Sequence, residues 1–359
     1  MNRWLKVGRL LPILLLVAVA LTGCSLTGEE TGKEINIEHA TPLAPQGSVA
    51  DGQLSLINQS LGIMLTVLIV VFALFFYAVI RFRKRKGQDD IPKQVEGNHV
   101  LEIIWTVIPI ILVTILAIPT IYYTVKFAED YSKSKDAVQV DVTAKLYWWQ
   151  FNYKNEGINT AQELVVPVDT KIAVTLTSTD VIHSFWIPGL AGKTDAAPGM
   201  VNKMYFDAKK PGIYRGKCAE LCGPSHALMD FKVIVKTKED YKAWVASMKK
   251  PAKVAKGTEK GAEIFKAKCM TCHAVDATKP GLFPNLANFG DRELVGGYLD
   301  NQGTDAKKNL TKWINDPTSV KQVSDIQKEK GLAMPTAKQL GLSDSDVEEL
   351  VNYLHSLKK

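Results

Sequence analysis

The chain has 359 residues, of which 46% are hydrophobic and 23% charged, with a formal net charge of +7. This length accommodates two soluble domains together with membrane-spanning segments. Lysine and arginine are spread along the chain without the basic face or reader motif of a nucleic-acid-binding protein, which excludes that class. The densest basic run, RFRKRK from Arg81 to Lys86, borders an apolar segment and is interpreted as a signal of membrane topology.

The first residues have the layout of an export signal. Three basic residues precede an apolar run from Leu10 to Leu21, which predicts a signal peptide over residues 1–23. The run ends in LTGC, which resembles the bacterial lipobox and predicts lipidation of Cys24. The alternative is an ordinary signal with an incidental cysteine. A single acyl anchor binds membranes weakly and would assist the helices that follow. Residues 24–53 are polar without periodicity, which predicts a tether.

Two apolar runs predict a transmembrane helical hairpin over residues 54–124. The first extends from Leu61 to Ile80 and the second from about Val100 to Tyr123, and each matches the roughly 20 residues that span a bilayer. The basic run between them predicts a cytoplasmic loop, so both flanks face outside. Pro109 and Pro119 are tolerated in a membrane helix because neighbouring groups satisfy the freed backbone.

The next region, residues 125–248, has the pattern of a β domain. In KIAVTLTS, Ile172, Val174 and Leu176 alternate with other residues, which is the period of a half-buried strand. Runs of similar length occur at 138–142, 201–206 and 231–235. Short strands separated by frequent turns predict a sandwich or a barrel.

A group of soft ligands stands in one loop of this region. The segment from Cys218 to Met229, CAELCGPSHALM, holds two thiols, an imidazole and a thioether, and a further histidine, His183, lies upstream. The thioether favours copper over zinc. Both cysteines can bridge a pair of ions, each of which then needs one histidine and one weaker ligand. The predicted ligands are His183, Cys218, the backbone carbonyl of Glu220, Cys222, His226 and Met229.

Two ions that share thiolates can spread one electron between them, so this site predicts an electron relay and no catalytic residue. The alternatives are a Cys2His2 zinc site, which would leave Met229 without a role, and a disulfide.

A second soluble domain is predicted over residues 258–359, after a lysine-rich linker at 249–257. The sequence Cys269-Met-Thr-Cys272-His273 is the CxxCH motif of covalent haem attachment, with His273 as the axial ligand. Met334 in LAMPT is the candidate sixth ligand, because a His/Met pair raises the haem potential. Packing in the core is the alternative for this methionine.

Helix signals support this second domain. Thr258 is predicted to cap a helix that leads to the first haem cysteine, and Ser343 with Asp346 predicts a capping box. An apolar stripe follows at Val347, Leu350, Val351, Leu354 and Leu357. With lipidation, copper and haem assigned, none of the five cysteines is left for a structural disulfide.

The cysteine loop, with DVIHSFWIPGL and KTDAAPGM before it, closely resembles the dinuclear copper (CuA) domain of cytochrome c oxidase subunit II, from about Leu54 to Lys236. The C-terminal stretch resembles a small class I cytochrome c. The resemblance implies a multidomain membrane protein with two transmembrane α-helices, an all-β cupredoxin-like Greek-key domain and an all-α cytochrome c domain. In the latter, it implies that the Pro284 carbonyl orients His273, and that the first and last helices cross. The expected contacts are Gly261 and Phe265 against Leu350 and Tyr353.

Three further roles follow from the resemblance alone. The Glu220 side chain would help to hold a magnesium ion shared with the catalytic subunit. Glu102 would lie at the entrance of a proton pathway in the partner subunit, although a solvated helix-end carboxylate is the alternative. An aromatic residue, generally Trp in the family, receives electrons above the copper. The aligned residue here is Tyr147, so Trp148 and Trp149 are candidates as well.

Taken together, the features resemble subunit II of a bacterial caa-type cytochrome c oxidase. This implies that electrons pass from the c-type haem to CuA and on to haem in the catalytic subunit I, which reduces oxygen to water. The implied partners are subunit I, other oxidase subunits, membrane lipid and an upstream donor such as a cytochrome c or a quinol-cytochrome c reductase. The implied location is the bacterial plasma membrane, with both soluble domains on the extracytoplasmic side.

Three other classes fit less well. A copper chaperone would need exchangeable ligands and no membrane hairpin. Quinol oxidase relatives lack the copper-binding cysteines, and a nitrous oxide reductase needs a histidine-rich site that six histidines cannot furnish.

Overall fold

A computed structural model describes residues 40–84, 87, 91, 94, 96–251, 254–279 and 281–358. The predicted signal peptide, Cys24 and the first part of the predicted tether lie outside these residues.

Two long helices follow the described start of the chain. Helix α1 (Ser48–Arg81) and helix α2 (His99–Phe127) are long and apolar enough to cross a membrane, and nearly all their large apolar side chains are exposed. The helices approach closely at one end, where a Cβ on Gly52 would lie 2.6 Å from the ring of Tyr123. Pro109 and Pro119 lie inside α2. The predicted hairpin is therefore present, with α1 beginning well before its apolar run.

The next part of the chain forms a two-sheet β-sandwich. Its strands are β1 (Val138–Lys145), β2 (Trp148–Tyr153), β3 (Ile158–Ala161), β4 (Glu163–Pro167), β5 (Ile172–Ser178), β6 (His183–Trp186), β7 (Lys193–Ala196), β8 (Asn202–Phe206), β9 (Gly212–Cys218) and β10 (Asp230–Lys236). One sheet has the order β3-β2-β1-β5-β8 and the other β4-β10-β9-β6-β7. The pairs β1/β5 and β4/β10 are parallel and all other pairs antiparallel. Non-sequential neighbours of this kind are typical of Greek-key connections.

Aromatic side chains fill the space between the sheets. Alternate residues of β2 point inward, and Trp149 and Phe151 are fully buried. The rings of Phe185 and Phe231 stack with centroids 4.5 Å apart. A Cβ on Gly216 would lie 2.2 Å from the Phe231 ring, so only glycine fits there. This packed core gives the loops at the sandwich edge a rigid base.

Helix α3 (Lys238–Met248), which the sequence analysis did not predict, follows the last strand. The Thr237 side chain caps it by accepting a hydrogen bond from the Asp240 N–H at 3.1 Å. Trp244 packs against Tyr153 with ring centroids 5.3 Å apart. The helix therefore covers one end of the sandwich.

The remaining residues form a small, mainly helical domain. Its elements are α4 (Glu259–Lys268), β11 (Leu294–Val295), β12 (Leu299–Asp300), α5 (Ala306–Asn315), α6 (Asp325–Glu329) and α7 (Asp344–Ser356). Helices α4 and α7 cross as expected, with the rings of Phe265 and Tyr353 at 5.6 Å. The expectation of an all-α domain holds apart from the two-residue strands β11 and β12.

The predicted helix starts differ in outcome. Ser343 and Asp346 form the predicted capping box of α7. Thr258 occupies the N-cap position of α4, but the predicted cap is wrong. Its hydroxyl donates to the Ala255 carbonyl at 2.8 Å, and the side chain accepts no bond from the helix. The preceding turn therefore competes successfully for this hydroxyl.

Replacing Gly261 tests the helix crossing. A Cβ at this position would lie 2.2 Å from the Glu349 carbonyl oxygen, which is backbone and cannot rotate away. We expect Gly261→Val to lower the free energy of unfolding of the helical domain by about 3 kcal/mol. Denaturant unfolding of the full chain, followed by haem absorbance, measures this change. The exposed Lys266→Ala in the same helix is the control, and an equal effect of both variants would contradict the crossing.

Candidate metal and haem sites

The six predicted copper ligands lie together at one edge of the sandwich. The Cys218 and Cys222 sulfurs are 3.9 Å apart. Cys218 Sγ lies 3.8 Å from His183 Nδ1 and 3.3 Å from the Glu220 carbonyl oxygen. Cys222 Sγ lies 3.5 Å from Nδ1 of His226 and 3.7 Å from the Met229 thioether sulfur.

Strand register brings the distant histidine to the cysteine loop. His183 begins β6, and Cys218 ends β9. These strands pair with Phe185 opposite Cys218, which places the histidine beside the thiol. Because side chains alternate along a strand, a slip of one residue would turn His183 to the opposite face.

Asp180 fixes the orientation of this histidine. Its Oδ1 atom lies 2.7 Å from His183 Nε2, and both side chains are almost inaccessible, with exposures of 5% and 0%. Burial by itself would lower the pKa of His183, but the hydrogen bonds and charges of Asp180 and Cys218 together outweigh it and raise the pKa. With Nε2 engaged by the carboxylate, Nδ1 is the nitrogen directed at the thiols. Asp180 was not among the predicted site residues, although it lies three residues before His183 in the sequence.

The two thiols titrate as one unit. A hydrogen bond from Cys222 lowers the pKa of Cys218, and the hydrogen bond and charge of Cys218 raise the pKa of Cys222. Thiolates are the species that coordinate metals, so binding of a cation would release the proton that the two cysteines share.

The donor set suits soft metal ions. Both thiols are buried, with 6% and 7% of their surface exposed, and the imidazole, thioether and carbonyl donors surround them. No disulfide joins the cysteines at a separation of 3.9 Å. A thioether donor matches copper better than zinc. The residues present therefore fit a copper centre.

A cavity of about 530 Å³ lies in the helical domain and reaches the copper-binding domain. Cys269, Cys272, His273 and Met334 all line it. Nδ1 of His273 lies 2.8 Å from the Pro284 carbonyl oxygen, as predicted. Burial lowers the pKa of His273, which favours the neutral imidazole that binds iron. These residues fit a haem with His and Met axial ligands.

One wall of this cavity comes from the β domain. Tyr147, Trp148, Gln162, Glu163 and Lys232 line it together with residues of the helical domain. Lys232 also forms an ion pair with Glu293 across the boundary. Only a flexible linker was predicted between the domains, whereas the structure places them in direct contact.

The three aromatic candidates occupy different surroundings. Trp149 is fully buried, and its Nε1 donates to the Met229 carbonyl at 3.2 Å. Trp148 lines the cavity and lies under Lys145, whose Nζ is 4.9 Å from its ring centroid. Tyr147 lines the cavity too, and its hydroxyl lies against Gly223 in the cysteine loop. Tyr147 is therefore the candidate that contacts both the haem cavity and the copper ligand loop.

The two carboxylates with expected partner roles are accessible. Glu220 is exposed in the cysteine loop, with its carbonyl turned toward Cys218. Glu102 lies in the first turn of α2 and is 3.5 Å from His99 Nδ1, with 43% of its side chain exposed. Neither residue lines the haem cavity, and both roles stay predictions.

Known protein families match the two long helices, the β domain and the helical domain. The sequence matches the families "Cytochrome C oxidase subunit II, transmembrane domain" over residues 41–122, "Cytochrome C oxidase subunit II, periplasmic domain" over 114–237 and "Cytochrome c" over 258–358. "Cytochrome c oxidase subunit 2" of Alkalihalophilus pseudofirmus is 43% identical over 366 residues, covering 100% of this chain and 99% of that protein.

Two proteins of Bacillus subtilis extend the comparison. Its "Cytochrome c oxidase subunit 2" is 41% identical and covers 98% of this chain and 98% of that protein. Its "Quinol oxidase subunit 2" is 36% identical and covers 65% of this chain and 70% of that protein. The family implies copper, haem and a membrane location, in agreement with the geometry of both sites and with helices α1 and α2. The chain therefore belongs to the cytochrome c oxidase subunit II family and carries a cytochrome c domain after its copper-binding domain.

Proposed function

We propose that this chain is the electron-transfer subunit of a terminal oxidase. Electrons would be received in the cytochrome c domain, pass to a dinuclear CuA centre and leave for haem in the catalytic subunit, where oxygen is reduced to water. The observation that carries this proposal is the shared position of Tyr147. Its hydroxyl lies against the cysteine loop, and the same residue lines the haem cavity.

The copper centre and the haem would each carry one electron at a time, and residues of this chain would hold them away from water. His183, Cys218, the Glu220 carbonyl, Cys222, His226 and Met229 are the proposed ligands of the two copper ions. Cys269 and Cys272 would bind the haem covalently, and His273 and Met334 would be its axial ligands. Buried thiols at 3.9 Å favour a fixed dinuclear centre over a copper chaperone, whose ligands must exchange with a partner.

The remaining expectations concern partners and location. The Glu220 side chain would help to hold a magnesium ion shared with subunit I, and Glu102 would lie at the entrance of a proton pathway in that subunit. The proposed location is the bacterial plasma membrane, with both soluble domains outside and Cys24 lipidated. An upstream cytochrome c or quinol-cytochrome c reductase would supply the electrons.

Removing one bridging thiol tests the copper assignment. We expect Cys218→Ser to abolish the mixed-valence copper signal in electron paramagnetic resonance, because a hydroxyl cannot replace a shared thiolate. The haem spectrum should stay unchanged because the two sites share no ligand.

Cys269→Ser provides the reciprocal control. It should remove one haem attachment and leave the copper signal intact. A signal from one isolated copper in the unaltered protein would contradict the dinuclear assignment.

The axial methionine is tested in the same way. We expect Met334→Ala to keep the haem covalently attached and to lower its midpoint potential by roughly 0.1 V or more, since axial ligands set potentials over about 0.8 V. Redox titration of the haem absorbance measures the shift. The exposed Met270→Ala is the control, and an unchanged potential in Met334→Ala would assign the sixth position to another residue.

A further inference from the structure

A short segment of the cytochrome c domain, residues 321–327, contacts the copper-binding domain on two sides. Lys321 Nζ donates to the Tyr147 carbonyl at 2.9 Å. Gln327 Nε2 donates to the Leu146 carbonyl at 2.8 Å. On the other side, the Ser225 hydroxyl donates to the carbonyl of Gln322 at 2.9 Å. We call residues 321–327 the docking segment.

These contacts are buried in the boundary between the two domains. Lys321 and Gln327 are each 9% exposed, and Leu146, Tyr147 and Ser225 are buried as well. A buried polar group that loses its partner costs about 1–3 kcal/mol. This cost is avoided only when the main-chain carbonyls of Leu146 and Tyr147 both keep their hydrogen-bond donors. The docking segment therefore favours one orientation of the cytochrome c domain on its neighbour.

Hydrogen bonds connect the docking segment to His183, a proposed copper ligand. The Leu146 N–H donates to Asp180 Oδ2 at 2.8 Å, and Asp180 Oδ1 lies 2.7 Å from His183 Nε2. The main-chain oxygen of Leu146 thus bonds to Gln327, and the main-chain nitrogen of Leu146 bonds to Asp180. Three successive hydrogen bonds join the docking segment to the imidazole of His183.

The second histidine is near the same segment. Ser225, which bonds to the docking segment, directly precedes His226. The docking segment is therefore linked to His226 through Ser225, and to His183 through Leu146 and Asp180. The ion pair of Lys232 with Glu293 forms a separate contact between the two domains, away from either histidine.

We propose that Gln327 and Lys321 are positioning residues that hold the cytochrome c domain in its electron-transferring orientation, and that Asp180 couples this docking to the orientation of His183. This inference rests on the proposed electron route and deepens it. Neither Gln327 nor Lys321 is a ligand of either group. Their effect is exerted through the Leu146 and Tyr147 main chain.

Gln327→Glu separates docking from helix capping. In the native protein, Gln327 Oε1 accepts from the Ser324 N–H and completes the capping box of α6. Glutamate keeps this acceptor but loses the Nε2 donor to Leu146. Glu329→Gln is the matched control, because it also changes the charge of α6 by one unit but lies at an exposed position outside the docking segment.

Flash reduction of the haem in the full metal-loaded chain gives the decisive rate. We expect Gln327→Glu to slow haem-to-copper transfer by about tenfold or more, since small misplacements have large effects on rate. Glu329→Gln should transfer at close to the native rate, and both variants should keep native haem and copper spectra. If Gln327→Glu does not load both groups, Lys321→Met replaces it, with the same expectation.

The outcomes separate the two proposals. A native rate in a loaded Gln327→Glu or Lys321→Met variant would overturn the docking role while leaving the electron route standing. If the unaltered chain showed no transfer from haem to copper, the proposed function itself would fail.

The coupling to His183 has its own readout. We expect Asp180→Asn to change the histidine nitrogen coupling in the pulsed electron paramagnetic resonance spectrum of the copper centre, because an amide cannot accept all the bonds that the carboxylate accepts. The haem potential should not move. Asp195→Asn, at an exposed position on β7, is the control. An unaltered nitrogen coupling in Asp180→Asn would overturn the role of Asp180.

Discussion

The pairing of β6 with β9 is the constraint on which the copper site depends. It joins His183 to Cys218, residues that are distant in the sequence, and sets the separation of Nδ1 and Sγ at 3.8 Å. The aromatic core beneath these strands, in which Phe185 stacks on Phe231, resists any change of register. Asp180 then fixes the ring orientation. Strand pairing and Asp180 therefore set the positions of His183 and Cys218, as expected of a functional site built on rigid elements.

The same sandwich edge receives the cytochrome c domain. The main chain at Leu146 and Tyr147 lies between β1 and β2 and accepts hydrogen bonds from Gln327 and Lys321. Tyr147 also contacts the cysteine loop. A covalent linker alone would keep the domains at an effective concentration in roughly the millimolar range. The buried hydrogen bonds go further, because they select one orientation among those that the linker permits.

Much of this organisation could be predicted from the sequence because the chemistry is local. The CxxCH motif, the cysteine loop and the apolar runs each lie within a short window, and the contact of His273 with Pro284 follows from family resemblance. The docking contacts could not be predicted, since Gln327 and Leu146 are distant in sequence and ordinary in type. The cap at Thr258 was wrong because its hydroxyl has a competing acceptor in Ala255. Contacts between distant residues, and competition between nearby acceptors for one hydroxyl, therefore could not be predicted from the sequence.

The most direct test of the central claim measures whether transfer from haem to copper occurs within one chain. In the full protein, flash-reduction kinetics should be first order, independent of protein concentration and weakly sensitive to ionic strength. A mixture of Cys218→Ser chains, which hold only haem, with chains that lack haem through Cys269→Ser and Cys272→Ser should react slowly, in proportion to concentration and with marked salt dependence. A transfer rate in the full protein that rises with its concentration would show that the cytochrome c domain serves a different molecule. It would contradict electron transfer within one chain.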